Sequence, residues 1–166
     1  MKAVTRPLSA YVDAAVDLND VAGGDGVLFV RNAVGVAGRG VAATVPVGAI
    51  DPIALYAAAV EANLEAALWQ RPSEGTALVG IGRAWAVEAE GPDRFGEAEA
   101  AWRSLLLDAR VDRPADSVRG TGPVLLGAMG FTGREPAADD PWGPFGPRSM
   151  VLPALIFLVF NHGRPA

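Results

Sequence analysis

Residues 150–160, MVLPALIFLVF, are apolar at every position. A strand with one face in water alternates apolar and polar residues, so a near-continuous apolar strand implies cover on both faces. The run therefore demands a layered fold. Pro153 interrupts it, and at eleven residues it falls far short of the ~20 that a membrane-spanning helix needs.

The rest of the chain reads as short elements divided by Gly- and Pro-rich turns. Residues 27–36 (VLFVRNAVGV) are strand-like, the Ala37-Gly38-Arg39-Gly40 stretch is a turn, and residues 41–47 return as a second strand, which gives a hairpin. Asp51 and Pro52 suit the start of a helix. Apolar residues at Ile53, Tyr56, Val60, Leu64 and Leu68 extend that helix to about residues 69–71, where Pro72 stops it. Residues 76–87 form one strand. A second helix begins at Asp93 with Phe95, Ala98, Trp102, Leu105, Leu106 and Ala109 on one face, and Arg103 and Arg110 toward its end. Residues 111–121 are a polar linker. Residues 123–131 and 151–160 are two further strands joined by a long loop. The expected class is α+β: a mixed, largely antiparallel sheet with two main helices in a single region spanning residues 1–166.

Composition excludes several kinds of chemistry. The chain has no cysteine and a single histidine, His162. Thiolate nucleophiles, disulfides and histidine-pair metal sites are therefore outside its reach. Lys2 is the only lysine, and the other 13 of the 14 basic residues are arginine. Arginine stays protonated, so it binds anions but serves poorly as a base. The net charge of −5 argues against a nucleic-acid partner. The opening Met1-Lys2-Ala3-Val4 has no apolar signal segment, so the expectation is a cytoplasmic protein with no membrane partner.

Each chemically suggestive group has a structural explanation that outweighs the functional one. Gly80-Ile81-Gly82 lies inside a strand pattern, whereas a phosphate-binding loop needs its glycines at a strand-to-helix turn. A bulge or a close backbone approach is expected there. Glu88 and Glu90 could share one face of a strand end, while Glu97 and Glu99 diverge on a helix. All four read as a solvated acidic rim. Asp139 and Asp140 read as turn residues and His162 as part of a hairpin turn. Trp69, Trp85 and Trp102 fall at core positions, while Trp142 and Phe145 should pin the long loop over the end of the sheet. No catalytic, cofactor-binding or metal-binding residue is assigned.

Residues 126–153, LGAMGFTGREPAADDPWGPFGPRSMVLP, carry a resemblance to a known family. A small-residue apolar strand leads into a Pro-rich loop with Trp142 and Phe145 three apart, then into Val151-Leu152-Pro153. Preceded by the helix from Asp51, the strand with Gly80-Ile81-Gly82 and the helix with Trp102, this order resembles the amino-terminal half of chorismate-utilising enzymes, the isochorismate synthases above all. The resemblance implies an incomplete half of a larger chorismate-binding-enzyme fold, with chorismate as substrate and Mg²⁺ as cofactor in the parent enzyme. It also implies water addition at one ring carbon and hydroxide loss at another, with a lysine base and a glutamate acid, feeding menaquinone or siderophore synthesis. None of those groups maps onto this sequence. The chain is thus expected to be a truncated, inactive part whose structural partner is the carboxy-terminal half. A tryptophan-sensing Leu-Leu-Glu-Ser motif, found in anthranilate synthases, has no match here. The competing expectations are a non-catalytic module docking through a sheet edge, or a part of an anthranilate or aminodeoxychorismate synthase. A chain cut there would leave residues 151–160 as an exposed apolar edge, with Leu155, Phe157 or Phe160 in solvent.

Overall fold

A computed structural model describes residues 26–34, 40–47, 50–112, 121–130, 141 and 149–160. The fold is α+β, as expected. Among the described residues, strands β1 (Gly26–Val34) and β2 (Gly40–Val47) precede helix α1 (Pro52–Glu61). Then come β3 (Ala66–Arg71), β4 (Thr76–Ile81), β5 (Trp85–Glu88) and helix α2 (Arg94–Leu107). β6 (Arg110–Asp112), β7 (Leu126–Gly127), β8 (Ser149–Leu152) and β9 (Leu155–Phe160) complete the set. One sheet has the order β3-β4-β9-β1-β2-β6 and a second has β5-β8-β7. Every described pairing is antiparallel except β2 with β6.

The first hairpin forms as the sequence indicates, with Val34 opposite Gly40. The apolar run 150–160, in contrast, is two strands. It leaves the small sheet as β8 and enters the large one as β9, between β4 and β1. β9 is therefore central, and the expected exposed edge does not exist. Phe157 is 0% exposed, Ile156 and Leu158 are also buried, and Leu155 and Phe160 are partly buried. Consecutive buried residues on one strand point to opposite faces, so both faces are covered. Leu55 and Ala59 of α1 pack with Val79, Ile81 and Phe157 on one face. On the other, Ile156 packs with Ala42, Leu78, Val111 and Val124.

Helix α1 starts as its sequence dictates. Asp51 Oδ1 accepts hydrogen bonds from the backbone N–H of Ile53 at 2.9 Å and Ala54 at 3.2 Å. It ends earlier than the periodicity predicts. Ala62 caps it and Asn63 turns the chain at φ 57°, a left-handed conformation that asparagine tolerates. Residues 66–71 then form β3. The four-residue step from Leu64 to Leu68 fits a helix face and one face of a strand equally well, and pairing of all six β3 residues with β4 decides it.

Residues 76–87 are also two strands. Gly82, at φ 66°, separates β4 from β5. Gly82, Arg83 and Ala84 stand opposite only Pro153 and Ala154, because Ile81 pairs with Leu155 and Trp85 with Leu152. One extra residue on one strand is a β-bulge, and a bulge bends the ribbon. Two chain segments thus run together from one sheet into the other, bent at Gly82 and at Pro153-Ala154. Residues 111 and 112, expected in a linker, join β6.

Helix α2 buries Arg94, Ala98 and Leu105. Phe95, expected on the buried face, is exposed. Arg110 lies past the helix end, in β6.

Candidate functional site

The most constrained part of the molecule is the bend. Gly80 is buried in β4, and a Cβ there would lie 2.6 Å from both Leu126 Cδ1 and Pro153 Cγ. The expected close approach is thus found at Gly80 and the expected bulge at Gly82. Neither faces a helix N-terminus, so the geometry is not that of a phosphate loop.

Asn32 of β1 closes the bend from the other side. Its backbone N–H donates to the Ala154 carbonyl at 2.8 Å, and its Nδ2 donates to the Pro153 carbonyl at 2.9 Å. Asn32 is 4% exposed. Its Oδ1 has no hydrogen-bond partner among the described residues, and neither does the buried hydroxyl of Thr44. Asn32 is opposite Ala42, and Thr44 is two residues further along β2, so both project to the same face. The pair can offer a hydrogen-bond acceptor and a hydroxyl to a small polar group. The reading of the sequence missed both. The available signal was a lone asparagine inside the apolar strand 27–36.

Arg94 is the one buried ionisable side chain among the described residues. Its Nε donates to the Gly130 carbonyl at 3.1 Å and one terminal nitrogen to the Gly91 carbonyl at 3.0 Å. Its guanidinium lies 4.5 Å from the Phe95 ring centroid, a cation–π contact. Arg94 ties the loop before α2 to the segment after β7, which is an anchoring role.

Surface charges pair locally. Arg83 donates to both carboxylate oxygens of Glu65, at 2.8 and 3.0 Å. Those hydrogen bonds hold the Glu65 carboxyl below the usual carboxylate range, against the opposing effect of burial and with the help of the Arg83 charge, and they raise Arg83. Glu99 pairs with Arg103 at 2.7 Å across one helical turn. Glu88, Glu90 and Glu97 are exposed. Among the described residues no group of three or more His, Asp or Glu side chains gathers to hold a metal. Mg²⁺ takes oxygen ligands in a near-octahedral set, of which a protein supplies as few as one or two carboxylates.

The tryptophans divide. Trp85 and Trp102 are half-buried, with ring centroids 6.3 Å apart, joining β5 to α2. Trp69 is 47% exposed, against expectation, because it lies on a strand rather than a helix, and among the described residues that strand is the last of its sheet. Trp142, Phe145, Asp139, Asp140 and His162 lie outside the described residues.

The bent ribbon joins the six-stranded sheet to the three-stranded one. The family described as chorismate binding enzyme matches residues 36–164. That is most of the 166 residues, and the chain belongs to that family. No curated protein and no solved structure matches the chain. Among the described residues no helix is long and apolar enough to cross a membrane.

Proposed function

We propose that this chain is part of an isochorismate synthase, an enzyme that converts chorismate into isochorismate for menaquinone or siderophore synthesis. In this reading it supplies scaffold to the enzyme rather than its acid and base. The family match over residues 36–164 carries the reading, because it supports chorismate as the substrate of the parent enzyme. The isomerase branch is favoured over anthranilate synthesis by the sequence, which has no Leu-Leu-Glu-Ser segment. Mg²⁺ belongs to the proposal as the parent enzyme's ion, and the cytoplasm as its compartment. The described residues offer no cluster for that ion.

The test is product analysis by chromatography and NMR. The chain alone, given chorismate and Mg²⁺, should form no isochorismate, since loss of an acid or base costs about 10²–10⁴-fold each. The complete product of the gene should form it without an amine donor. Anthranilate or aminodeoxychorismate formed from glutamine or ammonia would move the protein to the other branches. No turnover by the complete product would sink the enzymatic reading. A docking module would then stand, a reading favoured by the margin at β3, beyond which no strand lies among the described residues.

A further inference from the structure

Among the described residues no strand lies beyond β3 in the six-stranded sheet. The backbone orientation at that margin follows from one bond: the Gly82 N–H donates to the Glu65 carbonyl at 2.8 Å. Glu65, and with it the odd-numbered residues of β3, thus directs its backbone groups toward β4. In an antiparallel ladder the alternate residues turn theirs the other way. Ala66, Leu68 and Gln70 therefore present N–H and C=O groups outward.

We propose that this edge pairs with the β3 edge of a second copy of the chain, antiparallel about a two-fold axis at Leu68. A two-fold perpendicular to the sheet keeps side chains on matching faces only when the paired residue numbers sum to an even value. Centring on Leu68 is the register in which all the outward groups find partners. Ala66 meets the partner's Gln70, Leu68 meets the partner's Leu68, and Gln70 meets the partner's Ala66. The side chains select the same register. The exposed Arg71 faces the partner's Glu65, and the 47%-exposed Trp69 covers the partner's small, exposed Ala67. A shift that centres on Trp69 leaves Arg71 opposite alanine and sets the two indoles against each other. A shift that centres on Ala67 sets Glu65 against tryptophan. Opposite charges and large–small pairs placed across strands are the stabilising combinations. Arg71 and Glu65 now engage Glu74 and Arg83 only through exposed ion pairs. Such pairs are weak and can be shared with a partner.

Sedimentation velocity on the full chain tests the proposal, alongside amide hydrogen exchange. The expected result is a concentration-dependent dimer with slowed exchange at Leu68 and Gln70. Arg71→Glu replaces both intersubunit ion pairs by like-charge contacts and should weaken the dimer about tenfold. Arg71→Glu combined with Glu65→Arg restores opposite charges and should recover most of that loss. This rescue separates the interface from a general effect on folding, which circular dichroism checks for each variant. A monomer at all concentrations up to about 1 mM, where a dimer with a Kd of that order would be half formed, overturns the proposal. So does a dimer indifferent to Arg71→Glu, or a double variant no tighter than the single one.

Discussion

Asn32 and Pro153, 121 residues apart in sequence, are joined by a hydrogen bond of 2.9 Å from the Asn32 side chain to the Pro153 carbonyl. The bond fixes the point where the ribbon of β8 and β9 leaves one sheet for the other. Pro153 is buried, so its carbonyl has little access to solvent.

Asn32→Ala should therefore destabilise the protein by about 2 kcal/mol, because a buried acceptor loses its partner. Removal of the unpartnered Oδ1 offsets part of that cost. Urea titration of both proteins gives the difference. A change under about 0.5 kcal/mol would show that the bond contributes nothing beyond an ordinary surface substitution.

Gly80→Ala should be destabilising, the reverse of the usual gain when a strand glycine is replaced. The new methyl would lie 2.6 Å from both Leu126 Cδ1 and Pro153 Cγ. Forcing atoms apart in a packed core costs about 1–3 kcal/mol. A thermal melt no lower than that of the parent would refute the close approach.

Thr44→Val keeps the shape of the side chain and deletes a buried hydroxyl without a partner among the described residues. It should be neutral or stabilising by up to about 1 kcal/mol, since a buried polar group with no partner only costs desolvation. Calorimetry that shows a clear loss of stability would mean that the hydroxyl is engaged in solution.

Glu65 titrates below the usual carboxylate range because Arg83 donates two hydrogen bonds to it. A depressed folded-state pKa contributes stability above the unfolded value, and the contribution is lost as pH falls through the folded one. Arg83→Gln should return Glu65 toward its ordinary value, as read from the carboxyl carbon shift by NMR. The parent's small stability advantage should be present near neutrality and vanish in acid. An unchanged Glu65 titration in the variant would contradict the pairing.

The sequence by itself determined the elements whose cause is local. The Asp51-Pro52 start of α1 is written in a capping side chain and a ring-fixed φ. The β1–β2 hairpin is written in two apolar runs around a glycine turn. The cover on both faces of residues 155–158 is written in their unbroken apolarity. The resemblance around residues 126–153 led to the family, although Trp142 and Phe145 lie outside the described residues. Tertiary structure decided what a spacing of four leaves open. Leu64 and Leu68 satisfy both a helix and a strand, and only pairing with β4 makes residues 66–71 a strand. It also decided where long strands break. Gly82 and Pro153 are compatible with several turns, and their joint bend follows from the pairing of the two segments, in which Gly82 meets Ala154 beside Pro153. Asn32 shows why the candidate site stayed hidden. A polar residue in an apolar strand signals a buried partner, but that partner is a backbone carbonyl 121 residues away, and backbone carbonyls leave no mark in a sequence.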